Sequence, residues 1–270
     1  MKPYQTVISS LLVPSVLLLS GCFDDSHSSA PKEVKQVISS DGEQHIKDSG
    51  KIVHKDPRRT LLDVAGLGQI HASAKQIMHT YLQPVLVDFK QASVTEDQAA
   101  IEAFHQRQKS HQLTLTSMAD GQLFAGMKKR PDQALIYLVK QPQGAIDKVV
   151  FPIEGKGYLS QLKGFIALDI HDWHIDNIAF YQQGETPSLG GHIMTDQTWL
   201  AQFHGKQIYR QGKPAFKVIS KHPASLDDYA IDGISGATNT SNSVQNLIND
   251  WMGENGFAPL LEKIQKQAHL

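Results

Sequence analysis

Asp232-Gly233-Ile234-Ser235-Gly236-Ala237-Thr238-Asn239-Thr240-Ser241 is a run of small and hydroxyl-bearing residues that leads into an apolar stripe. Val244, Leu247, Ile248 and Trp251 recur at i, i+3, i+4 and i+7, which predicts an amphipathic helix. Thr240, Ser241 or Asn242 can supply its N-cap, and Gly253 and Gly256 stop it. A helix that starts here aims its unpaired N–H groups and the positive end of its dipole at the loop. Such a place suits a phosphate. Small residues at Ser235, Gly236 and Ala237 let a bulky group reach the backbone and the Thr238 hydroxyl. Read from the residues alone, a hydroxyl-rich helix cap with no ligand explains the stretch as well.

Upstream, the pattern predicts an α+β domain with helices toward both ends of the chain. Residues 70–89 read as a helix with Ile77, Tyr81 and Val85 on one face, kinked or divided at Pro84. Residues 97–109 read as a polar helix. Residues 134–140 alternate as a strand, Pro142-Gln143-Gly144 is a turn signal, and residues 146–153 return. Residues 164–170 and 175–181 form a further apolar pair, and 207–209 and 215–219 flank a turn at Gly212. Short connections favour antiparallel pairing. Gly155-Lys156-Gly157 reads as a turn, because it lacks the third glycine and following helix of a dinucleotide fingerprint. No phosphate-cradling P-loop is present.

Composition narrows the function classes. The 270 residues are 40% hydrophobic and 20% charged, with a net charge of −1. That balance gives no field for nucleic acid, and Lys128-Lys129-Arg130 reads as a solvated face. The single cysteine, Cys22, excludes an internal disulfide, an iron–sulfur site and a four-cysteine zinc site. Redox chemistry would therefore need a non-thiol cofactor. Among 13 histidines only His171 and His174 are close together, in a segment that does not read as helix. Surface or packing roles are expected for them, and no metal site. No Ser/His/Asp arrangement supports a hydrolase, and no catalytic side chain is assigned.

The N-terminus reads as an address. Lys2 precedes an apolar stretch, residues 7–19, that is shorter than the ~20 residues a membrane-spanning helix needs. It ends in Leu19-Ser20-Gly21-Cys22, which resembles a bacterial lipobox. The resemblance implies a lipoprotein signal peptide over 1–21, acylation of Cys22, and a stable membrane anchor. Residues 22–57 read as a flexible polar tether, and 58–270 as the folded domain. The position after the cysteine is Phe23, and aspartate begins at Asp24. The expected location is the periplasmic face of a bacterial envelope, at the inner membrane in preference to the outer.

The opening stretch also resembles the flavinylation motif Asp-x-x-(Ser/Thr)-Gly-Ala-Thr, matched by Asp232, Ser235, Gly236, Ala237 and Thr238. The resemblance implies FMN bonded covalently through its phosphate to Thr238, installed by a magnesium-dependent flavin transferase that works from FAD. A wider series of pieces resembles the family of C subunits of the sodium-translocating NADH:quinone oxidoreductases. These are Leu62-Asp63-Val64-Ala65-Gly66-Leu67, Leu135-Ile136-Tyr137-Leu138-Val139, Gly155-x-Gly157-x-x-Ser160 and Gly164-Phe165-Ile166-Ala167-Leu168. They continue through Gly184-Glu185-Thr186-Pro187-Ser188-Leu189-Gly190-Gly191, Gly205-Lys206 with Tyr209, and the run from Asp232 to Leu260. The G subunit of the Rnf complex shares the flavin and Glu-Thr-Pro pieces but fits the remainder less well.

That family implies an antiparallel sheet with flanking helices, an electron-transfer role within a membrane NADH:quinone reductase, and the other subunits of that enzyme as partners. It places Glu185, Thr186, Leu189 and Leu159 near the flavin ring. Five departures bear on this. A lipobox stands where the family has a membrane helix, Ser188 stands for a glycine, and Leu159 for a tryptophan. Asn239 and Ser243 also replace a leucine and a glycine. A free-standing lipoprotein flavin carrier, and a non-redox assembly protein with a vestigial flavin domain, are the alternatives.

Overall fold

The structure is a computed structural model that describes residues 51–141, 144–219 and 227–268. The expected signal peptide, Cys22 and most of the expected tether lie outside the described residues, as do Pro142 and Gln143 of the turn signal.

The described residues begin with a short strand β1 (Val53–His54) and a helix α1 (Pro57–Val64). Asp56 caps α1 and Pro57 occupies its first turn, where a missing N–H costs nothing. The last residues of the expected tether are thus a strand in the sheet. Helix α2 (Ala74–Tyr81) starts on a capping box made by Ser73 and Gln76. The expected helix over 70–89 is corrected here: the chain leaves the helix at Tyr81 and runs on as strand β2 (Leu82–Asp88). Pro84 cannot continue a helix, and Val85 and Val87 both turn into the core at strand spacing. Strand β3 (Ser93–Thr95) and helix α3 (Gln98–Lys109), capped by Asp97, follow.

A small ladder, β4 (Leu115–Ser117) with β5 (Lys129–Pro131), precedes the main strands. These are β6 (Gln133–Lys140), β7 (Ile146–Lys156), β8 (Gln161–Asp169) and β9 (Ile175–Gln183). The seven-stranded sheet has the order β1-β9-β8-β7-β6-β2-β3, and every pairing in it is antiparallel. Gly155 and Lys156 belong to β7, so the expected Gly155-Lys156-Gly157 turn begins only at Gly157. A Cβ at Gly155 would lie 2.6 Å from the Ala125 carbonyl oxygen, so glycine serves close packing there.

After β9 come a 3₁₀ turn (Gly190–Met194), helix α4 (Gln197–Ala201), and the hairpin β10 (Tyr209–Arg210) and β11 (Lys213–Pro214). Strands β12 (Lys217–Ile219) and β13 (Ala230–Asp232) pair in parallel. Helix α5 (Thr238–Trp251), a second 3₁₀ turn (Ala258–Leu260) and helix α6 (Leu261–Ala268) complete the described residues.

Alternation along the strands gives the sheet two apolar faces. One carries Val85, Ile136, Val149, Phe151, Ile166 and Ile178 and packs on Val244, Leu247, Ile248 and Trp251 of α5. The other carries Val139, Val150 and Ala167 under α1 and α2, with Leu86 and Leu135 under α3. This α+β architecture holds the start of α5 beside the β7–β8 turn, where the site lies.

Candidate functional site

Three segments meet at this end of the sheet. The first is the tight turn that joins β7 to β8, closed by the Gly157 N–H on the Ser160 carbonyl at 2.6 Å. The second is the loop after β9, residues 184–189. The third runs from β13 into α5.

Glu185 ties the three together. Its side chain is 2% exposed. One carboxylate oxygen accepts from Leu159 N and Ser160 N at 3.1 Å and from the Ser160 hydroxyl at 3.0 Å. The other accepts from Tyr158 N at 3.2 Å and from the Thr240 hydroxyl at 2.7 Å. Five donors around one buried carboxylate replace the water it has lost. Glycine makes room for it on both sides. A Cβ at Gly157 would lie 2.6 Å from Glu185 Oε1, and one at Gly190 would lie 2.3 Å from Thr240 Oγ1. Gln183 fixes the approach by accepting from Glu185 N at 2.6 Å. Ser160 Oγ, besides donating to Glu185, accepts from Gly184 N at 2.6 Å.

The third segment is braced from α4. Trp199 Nε1 donates to the Asp232 carbonyl at 2.8 Å, and Asp232 N donates to the Gln202 side chain at 2.9 Å. A turn closes with Ala237 N on Ile234 O at 3.0 Å. Gly236 sits at φ +74°, a conformation that favours glycine, and a Cβ there would meet Leu189 Cδ2 at 2.9 Å.

Helix α5 then starts at Thr238 with Ala237 as its N-cap, earlier than any of the expected caps. The hydroxyls read as caps have other partners. Thr240 donates to Glu185, and Ser241 accepts from Ile234 N at 3.1 Å. Asn242 lies inside the helix and is exposed. No side chain caps α5, so its first turn presents N–H groups and the positive dipole end beside the exposed Thr238 side chain. These residues fit a phosphate: a hydroxyl at the helix start, an uncapped first turn, and a glycine corner that a Cβ would fill.

The structure therefore brings Leu159, Glu185, Thr186, Leu189, Ser235, Gly236, Ala237 and Thr238 to one end of the sheet. Leu159 is 42% exposed, at the tip of the β7–β8 turn. Leu189 lies over Gly236, and the Thr186 carbonyl accepts from Leu189 N and Gly191 N. Asp232 is half-buried at the end of β13. Ser188 has no positive φ, so serine in place of glycine leaves no backbone strain there. A groove of about 410 Å³ opens next to Ser235, lined by Ser188, His192, Trp199, Gln202 and Ile234 among others. Sequence reasoning passed over His192, Trp199 and Gln202, and quoted Ser160 in the family resemblance without a role. Their offsets from the flavin-type motif carry no local signal.

A larger cavity of about 650 Å³ opens against the opposite, helix-covered face of the sheet, with Tyr137, Phe165 and Tyr181 in its wall. Burial pushes both tyrosine hydroxyls up to about 12. None of residues 232–238 lines it. Among the described residues, Asp169, Asp172 and His174 could together reach one metal ion. They occupy the β8–β9 turn, at the end of β8 away from Glu185, and Asp169 and Asp172 accept from the turn's own N–H groups.

Comparison with known proteins bears on this end of the molecule. The family described as the FMN-binding domain matches residues 157–253, a span that begins at the β7–β8 turn and closes just after α5. The C subunit of the Na(+)-translocating NADH-quinone reductase of Yersinia pestis is 36% identical over 217 residues, covering 79% of this chain and 81% of that protein. The corresponding protein of Vibrio alginolyticus is 34% identical over 215 residues, covering 78% and 81%. The crystal structure of Shewanella oneidensis NqrC superposes with a TM-score of 0.68 at 26% identity, over 77% of this chain and 96% of that one.

Proposed function

The chain belongs to the family of C subunits of the Na(+)-translocating NADH-quinone reductases, electron-transfer components of an oxidoreductase, and from that premise we propose that FMN is bonded through its phosphate to Thr238. The observation that carries the reading is the start of α5: an exposed hydroxyl on the first residue of a helix whose first turn no side chain caps. There the N–H groups and dipole offset the phosphodiester's negative charge.

Bound FMN supplies the redox chemistry, and the chain supplies position. Trp199 and Gln202 hold Asp232 and so fix where the loop leaves β13. Gly236 turns the chain so that Thr238 faces outward. Glu185 holds the β7–β8 turn against α5, which sets the distance between Leu159 and the loop. Leu189 and Leu159 then offer apolar contacts to the ring, and Glu185 acts as a positioning residue. No acid–base pair is required for electron transfer.

Attachment is the work of a separate flavin transferase. The Thr238 hydroxyl takes the FMN phosphoryl group of FAD, its proton is lost, and AMP leaves. The Leu19-Ser20-Gly21-Cys22 sequence supports acylation at Cys22 and a location at the periplasmic face of the membrane, next to the membrane subunits of the same enzyme. In-gel fluorescence tests the attachment. Protein from cells with an active flavin transferase should give a fluorescent band on a denaturing gel, and Thr238→Val should give none while unfolding within about 0.5 kcal/mol of the parent. Fluorescence that survives Thr238→Val would contradict the assignment.

A further inference from the structure

Six large apolar side chains are exposed among the described residues: Ile52, Val53, Leu115, Leu123, Tyr158 and Leu159. Four of them gather at one end. Val53 pairs with Gln183 at the β1 edge of the sheet, and Ile52 precedes it. Tyr158 and Leu159 form the tip of the β7–β8 turn. Gly184 joins the two pairs, since a Cβ there would lie 2.9 Å from Ile52 Cδ1 and 3.0 Å from Ser160 Cβ. The bonds from the backbone N–H groups of Tyr158 and Leu159 to Glu185 hold the tip in this form. A contiguous exposed apolar patch on a folded domain marks a contact surface.

Its surroundings say what it contacts. Lys51, His54 and Lys156 are exposed around the patch, and Lys55 beside them donates to the Met194 carbonyl. The acidic side chains on the same segments are Glu185, which is buried, Asp56, which is paired with Arg58, and Glu154, which is paired with Lys163. Apolar side chains with a tyrosine, set in a collar of lysines, suit the headgroup region of an anionic bilayer. Connectivity points the same way. Ile52 follows Cys22 by 30 residues, so a chain acylated at Cys22 enters the domain at this patch. Thirty residues of chain are long enough to keep the patch within reach of a bilayer that holds acyl chains on Cys22.

We propose that the end of the domain formed by Ile52, Val53, Tyr158 and Leu159 is a lipid-contacting face. It seats the domain on the bilayer that holds its own acyl chains, with Thr238 at the same end. The patch alone is too small to hold a free protein on a membrane, but beside a tether it sets orientation. This rests on the reading of Cys22 as the acylated residue.

The full lipoprotein in vesicles of phosphatidylethanolamine and phosphatidylglycerol provides the test. Cys22 is the only cysteine and its thiol is consumed by acylation, so a single added cysteine takes a polarity-sensitive fluorophore cleanly. Tyr158→Cys reports on the patch, and Gln91→Cys reports on the turn at the opposite edge of the sheet. The label at 158 should shift to the blue and be quenched by doxyl-labelled lipid, and the label at 91 should do neither. Ile52→Ser with Val53→Ser should lower the quenching at 158 several-fold. Equal exposure of both labels overturns the proposal. So does protection at 158 that arises only when the membrane subunits of the reductase are added, because the occupant is then protein. Flotation with vesicles reads the Cys22 anchor separately. If flotation fails, Cys22 is replaced by serine before labelling, the chain from residue 22 onward is held through an N-terminal histidine tag on nickel-chelating lipid, and the quenching at 158 decides the question there.

Discussion

At its C-terminal end helix α5 is closed by rings. Trp251 stacks on Phe257 at 5.4 Å and meets Phe124 edge-on at 4.9 Å, and its indole N–H donates to the Glu154 carbonyl at 2.8 Å. At its N-terminal end the same helix has no side-chain cap, and its first two residues are exposed. The first turn is held from the side, by Thr240 on Glu185 and by Ser241 under the Ile234 N–H. The apolar end fixes the helix in the fold. That frees the other end to leave its N–H groups to a ligand, which a helix relying on its own cap could not do. Stability and site therefore rest on different residues of one element.

Truncation at the closed end should cost most. Trp251→Ala removes a fully buried ring and leaves the Glu154 carbonyl without its donor, and should destabilise by about 3–5 kcal/mol in urea unfolding. A cost below about 1 kcal/mol would mean that the rings do not hold the helix.

Glu185→Ala comes next. It strips the acceptor from three N–H groups and two hydroxyls, and should cost about 2–4 kcal/mol. Hydrogen exchange should rise at residues 158–160 and not at Trp251. Loss of protection at both would show that the two ends of α5 are not separate. Thr240→Val is milder, because Glu185 keeps four of its five donors. About 1–2 kcal/mol is expected, with flavin attachment retained.

The smallest effect sharpens the comparison through pH. Asp250, near the closed end of α5, is half-buried with one donor, Ala125 N at 2.6 Å. Burial pushes its carboxyl above the usual carboxylate range. An acid raised in the folded state costs stability as pH rises through its unfolded value, where only the unfolded chain ionises freely. Asp250→Asn should therefore gain stability relative to the parent at pH 7, and less or none below the ordinary aspartate range. Melting temperatures at the two pH values read the difference, and a constant difference would contradict it.

Much of the fold is legible in the sequence because its signals are local. The apolar stripe of α5, the Asp97 cap of α3 and the alternation of β6 to β9 each lie within one element. Residues 82–88 are misread as helix because the Ile77, Tyr81 and Val85 spacing fits a helix until Pro84 forbids it, and Pro84's partner Tyr137, on the interior strand β6, lies far along the chain. Strand β1 is hidden in a charged run and exists only through its pairing with β9. The site divides in the same way. Thr238 and the small residues before it are visible in the motif. The true cap is not, because Thr240 is drawn away by Glu185, 55 residues earlier, and no local pattern records that bond. Resemblance names Glu185 as a residue of the site, and geometry gives it its work as the tie between the β7–β8 turn and α5.

Peptide mass analysis of the full chain, from a host that attaches flavin, addresses the open end of α5 most directly. The peptide spanning Thr238 should carry the added mass of one FMN, with fragment ions placing it on that residue. A peptide of unmodified mass in every copy, or a flavin placed on Thr240 or Ser241, would contradict the assignment.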